Sequence, residues 1–550
     1  MILELPPRWR ARVYPLLALY AAWLAVGIFP VAPLEGDEQG VINGATAMAR
    51  SDLLGLELAY LPIIQPGSYA VLSIASRWSG LGVEPLFAFG TVFGAVAFAI
   101  LAAAMLARVL NLPPWLTGAS LLAAQEISAA AYYLNTSALG LWLTFAALYL
   151  ALRPPTWRTA SLMAAALGVA GWIRIDCLLP APAVPVLLWI ATRDLRIVAH
   201  ATVAIALGSL LLVSALYFSC GVTWLDLVST YTGRGAISGW GPTLRAMPLV
   251  LSPLSCGFLV AGLVLLAIRR DWPVLALLAA GCAATLPIYG TSLASTKYFY
   301  HLVPFFLLGS LSAFAALVAR LVTAPRPLRF AGGVFLLGLL IANQTVAPHT
   351  SSTQFRRYAP SPVLLPLATI SRADRPWSLV IGPGEIIPTA DGFRLRGGAV
   401  LAPLVWRREK LAMREQLARF SALLADAPAT TVYYSGWLPY QIITRILRDQ
   451  GYTFQSRRLA ANSMPYSGLW ARGDRTVRTD YLAYRTSEYF DPVRQPVNST
   501  GEHTYFLGDL NVLEPITALA DSRTWQPLWP EHGHRFVTFL QRRAPAPSVP

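Results

Sequence analysis

Acidic side chains are scarce in the first half of this chain, and five of them stand close together. Twelve Asp or Glu residues precede position 346, and Glu35, Asp37, Glu38, Asp52 and Glu57 share one short stretch. Its core reads APLEGDEQGVINGATAMARSD over residues 32–52. The loose helical spacing of Val41, Ala45 and Met48 predicts a short helix through 41–50, opened by Asp37 and Glu38. Carboxylates at a helix N-terminus have a structural use, because free backbone N–H groups and the helix dipole stabilise them. They also have a chemical one. Adjacent residues on a helix are splayed by about 100°. One carboxylate can then face a reaction cavity as a general base while the other binds a metal or orients the first.

The elements that must position these acids are apolar. Of 550 residues, 55% are hydrophobic and only 13% charged, with a mean hydropathy of +0.51. An ordinary soluble domain carries about 25% charged residues, and a membrane-spanning helix needs about 20 apolar ones. Apolar stretches of that size recur from Tyr14 to about Ala347, which excludes a soluble enzyme, a disordered chain and a fibrous one. The net charge of +15 would suit nucleic acid, but Lys297 and Lys410 are the only lysines, and the arginines of the first half stand singly or in pairs between apolar runs. That placement is expected of topology signals and not of a phosphate-tracking patch, so no nucleic-acid partner is expected. Cys177, Cys220, Cys256 and Cys282 lie in or beside apolar runs with no CxxC spacing, and read as small core residues. No HExxH, Walker loop or paired Cys/His cluster is present.

The predicted fold is a polytopic α-helical membrane protein with about 11 transmembrane helices. They fall near 14–29, 86–107, 115–132, 137–152, 159–174, 177–192, 197–218, 247–268, 273–288, 298–319 and 330–346. RWRAR at 8–12 precedes the first, and Pro30 and Pro33 argue for an uncleaved helix over a signal peptide. With the N-terminus inside, the connections holding Arg108, Arg153/Arg158, Arg193/Arg196, Arg269/Arg270 and Arg320/Arg326/Arg329 are all cytoplasmic, as the positive-inside rule requires. The acidic stretch then belongs to the first outer loop, 31–85, and the odd span count puts the C-terminal part outside. The expected organisation is a transmembrane domain over 1–348 and an extracytoplasmic soluble α/β domain over 349–550. In the latter, TTVYYSG (430–436) reads as a buried strand, YQIITRILRDQGY (440–452) as a helix followed by a second strand, and SLVIGPG (378–384) as another strand. The arginine and alanine bias suits a bacterial source, hence the cytoplasmic (inner) membrane with a periplasmic C-terminal domain.

A first helix, an outer loop in which Asp-Glu opens an amphipathic helix, and the aromatic-Pro segment YLPIIQPGSYAVLS (60–73) together resemble the GT-C superfamily of membrane glycosyltransferases. Members with this loop include the protein O-mannosyltransferases and the aminoarabinose transferases that modify lipid A. The likeness covers residues 1–345 in topology and reaches motif level in the first loop and around 295–306. It implies a polyprenyl-phosphate sugar as donor, a glycan, lipid or protein hydroxyl as acceptor, and inverting transfer at the outer membrane face. Asp37 would be the catalytic base and Glu38 its partner. The resemblance names no certain cofactor; a divalent metal, Mg or Mn, is compatible with the acidic pair.

Transfer from a lipid phosphate needs a base for the acceptor proton and cations for the departing phosphate. Lys297 and Tyr298, in STKYFYHLVPFF (295–306), match an Arg/Lys-Tyr…Pro stretch of the family and are candidates for the donor phosphate; a snorkelling interface anchor is the other reading of Lys297. His301, one turn further in, either shares that cavity or is a satisfied buried histidine. Arg174, in GWIRIDCLLP (171–180), either offers its fork to the lipid phosphate or pairs with Asp176. Glu126, Asp176, Arg234 and Trp240 are the substrate-binding candidates. The last two sit in a loop, 220–246, whose aromatic faces suit a sugar and which reads equally as an interfacial segment. Asn135 stands where related sequences often carry an acid after the third span.

Two other functions fit a polytopic chain. A transporter or lipid flippase would show repeated halves or matched broken helices with midplane charges, whereas here the acids gather at the outer surface. An envelope assembly protein, docking through 350–550, leaves the acidic first loop without a purpose.

Overall fold

The long apolar runs of the first 346 residues are mostly helical where the structure describes them. The structure, a computed structural model, describes residues 7–32, 36–53, 55, 65–122, 136–227, 253–286, 300–346, 349–350, 385–389, 392–396, 402–426, 429–459, 466–481, 503–509, 525–529 and 537–542. In chain order the helices are α1 (Pro7–Ile28), α2 (Gly36–Ala49), α3 (Pro66–Ser79), α4 (Val83–Leu110), α5 (Pro114–Leu122), α6 (Thr136–Ala151), α7 (Trp157–Ile173) and α8 (Ala183–Thr192). They continue with α9 (Leu195–Ser219), α10 (Pro253–Ile268), α11 (Trp272–Ala283), α12 (Val303–Thr323), α13 (Arg326–Val346), α14 (Ala402–Asp426) and α15 (Trp437–Asp449). Among the described residues, Val83–Leu110, Ile175–Thr192, Leu195–Ser219 and Tyr300–Thr323 are long and apolar enough to cross a membrane, and four shorter apolar helices accompany them. The chain is a polytopic membrane protein. The first helix begins at Pro7, earlier than its apolar run, so the basic RWRAR segment is helical too.

The chain divides into two units. One comprises Met1–Ile28, Leu61–Glu385 and Arg394–Val405; the other comprises Phe29–Tyr60, Ile386–Phe393 and Trp406–Pro550. The helix bearing Asp37 and Glu38 therefore clusters with the C-terminal residues.

In the first unit, the core is a packed aromatic stack. Phe98 meets Phe145 edge-on at 4.8 Å between ring centroids and Tyr300 at 5.1 Å, while Phe145 leans on Phe305. Backbones approach closely at glycines. Helices α10 and α12 touch at Gly262 and Gly309, and α4 and α6 at Gly94 and Ala138. A Cβ on Gly262 or Gly94 would run into the opposite carbonyl, which is how small residues hold helices together where no hydrophobic drive exists between them. Leu207, Leu210, Leu211 and Phe218 of α9 are exposed, the face expected where the solvent is lipid.

The two spans expected over 159–174 and 177–192 meet at a break. Thr156 starts α7 through a capping box with Thr159, and Arg174 ends it by turning to extended backbone, φ −161° and ψ 124°. A 3-10 turn, Ile175–Leu178, follows, and α8 starts only at Ala183, after Pro180 and Pro182. Proline lacks the N–H and fits badly inside a helix, so the chain cannot run straight through.

The second unit holds α2, α14, α15 and a seven-stranded sheet. Its strands are β1 (Ala429–Ser435), β2 (Thr453–Leu459), β3 (Tyr466–Arg472), β4 (Arg475–Tyr481), β5 (Thr504–Asp509), β6 (Trp525–Pro527) and β7 (Val537–Arg542), in spatial order β2-β3-β4-β1-β5-β7-β6. β1 is central and parallel to both neighbours, β4 and β5. Val432 and Tyr434 alternate into the core, where they meet Leu438, Ile442, Ile443 and Leu447 from the apolar face of α15. The strand-helix-strand reading of 430–459 thus appears as β1, α15 and β2, whereas SLVIGPG (378–384) lies outside the described residues.

Candidate functional site

The acidic pair opens α2 as the sequence predicts: Gly36 begins the helix, and Asp37 and Glu38 stand in its first turn. The side chain of Asp37 lies outside the described residues. Glu38 is only 2% exposed, so its carboxylate is no solvated cap. Lys410 of α14 is 1% exposed and interacts electrostatically with it. Burial pushes the Lys410 ammonium down to about 8, while the Glu38 charge acts in the opposite direction and favours the charged form.

Three further polar contacts seat α2. The Asn43 amide donates to the Gln441 carbonyl at 3.0 Å and to Gln441 Oε1 at 2.8 Å, and receives a bond from Gln39 Nε2 at 2.6 Å. Just beyond the helix, Asp52 forms an ion pair with Arg448 of α15. The Asp52 carboxylate also accepts from the Gly55 N–H at 3.0 Å. Ahead of the helix, Arg407 of α14 donates to the Phe29 carbonyl at 3.2 Å. Among the described residues, Gln39 Oε1 and Gln441 Nε2 are buried with no hydrogen-bond partner.

The first unit contains a separate buried polar chain. Arg174 donates to Asp176 Oδ2 from Nε at 3.1 Å and Nη2 at 3.0 Å. Its Nη1 donates to Thr136 Oγ1 at 3.0 Å, and the Thr136 hydroxyl donates to Gln65 Oε1 at 2.7 Å. The break after α7 makes this possible, because extended backbone at Arg174 and a tight turn behind it bring positions 174 and 176 to the same side. Ser68 fastens α3 to that break through the Ile173 carbonyl at 2.8 Å. His301 is buried, shares a 2.8 Å hydrogen bond with Thr285 and feels the charges of Asp176 and Arg174. Of the two readings of Arg174, the structure displays the pairing with Asp176. Of those of His301, it displays a histidine with a hydroxyl partner.

Lys297, Tyr298, Glu126, Arg234 and Trp240 lie outside the described residues. In the described start of the 220–246 loop, Trp224 stacks on Tyr217 at 6.1 Å and donates to Ser214. Asp226 turns back on Thr223, accepting from its N–H at 2.8 Å and its hydroxyl at 2.6 Å. The Thr223 side chain and N–H hold that carboxyl below its ordinary pKa, although it is fully exposed. Both residues are thus committed to local structure. Among the described residues no three His, Cys, Asp or Glu side chains gather where they could hold a metal.

Sequence reasoning passed over Lys410, Asn43, Gln441, Gln65, Thr136 and Thr285. One signal for Lys410 was present: it is one of only two lysines in 550 residues and sits in a helix that also carries Arg407, Arg408, Arg414 and Arg419. A chain that otherwise uses arginine for its basic positions keeps a compact ammonium at that one, and it is buried.

No protein-family model and no curated protein sequence matches the chain. Two solved structures do. Both are ArnT from Cupriavidus metallidurans. The apo state is 13% identical with a TM-score of 0.47, over 96% of this chain and 97% of that one. The form bound to undecaprenyl phosphate is 12% identical with a TM-score of 0.48, over 98% of each chain.

Proposed function

We propose that this chain is an integral-membrane inverting glycosyltransferase that moves a sugar from a polyprenyl phosphate to a glycan, lipid or protein hydroxyl at the outer face of the cytoplasmic membrane. Asp37 takes the proton of the acceptor hydroxyl, the hydroxyl oxygen attacks the anomeric carbon, and the lipid phosphate leaves with the electron pair of the broken C–O bond. Lys297, Tyr298, Arg174 and His301 receive the phosphate. Glu126, Arg234 and Trp240 bind the substrate, and Asp176 holds the Arg174 fork.

The observation that carries the reading is Glu38. If the acidic pair only capped α2, its carboxylates would sit at the solvated helix end. Glu38 is instead buried and interacts with a buried lysine, an arrangement that costs solvation on both partners and recurs where charge serves chemistry. The family resemblance of the first loop supplies the reaction class.

The test is mass spectrometry of envelope glycans and lipids from cells with and without the gene. The reading requires that the null strain lack one sugar while its polyprenyl-phosphate donor accumulates. Identical glycans in the two strains would reject it.

A further inference from the structure

The C-terminal residues contribute more to α2 than a surface to rest on. Lys410, buried on α14, acts electrostatically on the equally buried Glu38; Arg407, one turn earlier on α14, bonds the Phe29 carbonyl that leads into α2. From α15, Gln441 and Arg448 hold Asn43 and Asp52. The first turn of α2 is thus fixed by a charge from α14 and its far end by α15.

We propose that Lys410 is a positioning residue for the Asp37–Glu38 pair: its buried ammonium, brought by the C-terminal part of the chain, fixes the charge and the seat of Glu38 in the first turn of α2. The inference rests on Asp37 acting as the base. Asp37 follows Glu38 through the backbone, so a Glu38 that shifts carries the neighbouring carboxylate with it. A base displaced by about 1 Å can lose about 100-fold in rate.

The experiment compares full-length wild type, Lys410→Met and the double variant Glu38→Gln/Lys410→Met. Each is purified in detergent for thermal unfolding, with and without undecaprenyl phosphate as probe, and expressed in null cells for glycan mass spectrometry. Lys410→Met takes the buried ammonium away from a buried carboxylate, and its Tm is expected to fall by about 10 °C. The double variant removes both charges at similar volume and is expected to return close to the wild-type Tm. Glycan modification is expected to stay about 100-fold below wild type in both. The Tm rise that undecaprenyl phosphate gives the double variant is expected to match that of wild type.

Recovery of modification together with Tm in the double variant would overturn the proposal, since the pair would then only hold the fold. So would an unaltered Lys410→Met, or a double variant that no longer responds to undecaprenyl phosphate. A double variant that fails to accumulate would also count against it, because neutral side chains of matching size fill the same space. If wild-type and null cells carry the same glycans, the glycosyltransferase reading itself fails. The Tm comparison still decides whether Glu38 and Lys410 are coupled.

Discussion

Arg174 grips a single carboxylate oxygen of Asp176 with two nitrogens, Nε at 3.1 Å and Nη2 at 3.0 Å, across the break that follows α7. The pair is almost fully buried, at 9% and 8% exposure. Asp176→Asn therefore leaves a guanidinium without its countercharge and is expected to cost about 3 kcal/mol. Arg174→Met combined with Asp176→Leu should recover most of that loss. Thermal unfolding of the detergent-solubilised variants reads both, and an Asp176→Asn protein as stable as wild type would show that the pair is not desolvated.

The Asn43 amide makes two bonds to Gln441 in a partly buried contact between α2 and α15. Asn43→Leu removes both and strands the Gln441 side chain, at an expected cost of about 2 kcal/mol. Arg445→Ala breaks an i,i+4 pair with Asp449 on the exposed side of the same helix and should change stability by less than about 0.5 kcal/mol. Amide hydrogen exchange along α2 and α15 separates the two cases. Equal effects would mean that α2 is not seated by the amide.

Lys410 carries a pH signature. Burial lowers its pKa from 10.5 to about 8, so between those values the unfolded chain keeps a proton that the folded chain has released. Stability therefore rises with pH across that window and is flat with respect to this group below it. Urea unfolding from pH 7 to 10.5 should show wild type gaining on Lys410→Met above about pH 8. Parallel curves for the two proteins would mean that Lys410 titrates as an ordinary exposed lysine.

Gly262 lets α10 lie against the backbone of α12 at Gly309. In Gly262→Val a branched side chain must enter that contact, and the expected cost is about 2 kcal/mol with lower accumulation in the membrane. Gly257, on the same helix, has open space around it, and Gly257→Ala should be tolerated. Comparable losses for both would show that the close approach at Gly262 is not what the valine disrupts.

Periodicity made the helices legible. Apolar runs over 86–107 and 298–319 became α4 and α12, and the alternation in TTVYYSG became the central strand β1. Asp37 and Glu38 were legible as a helix start because carboxylates there satisfy free N–H groups locally. What the sequence could not display was the partner of Glu38, since Lys410 meets it only after the first loop and the C-terminal part have packed. For the same reason Arg174 was readable as half of a pair with Asp176, two residues away, but its third bond was not. Thr136 reaches that guanidinium from α6 and in turn donates to Gln65, the residue before α3, and no short spacing announces them.

The central claim is that Asp37 is the base of a glycosyl transfer, and Asp37→Asn tests it most directly. The variant keeps shape and hydrogen-bonding capacity and removes basicity. Expressed in null cells at wild-type levels and with wild-type Tm, it should leave the envelope without the transferred sugar and raise its polyprenyl-phosphate donor, as the null does. Asp37→Asn cells whose glycans match wild type, in a strain background where the null lacks the sugar, would contradict the assignment and make Asp37 a cap of α2.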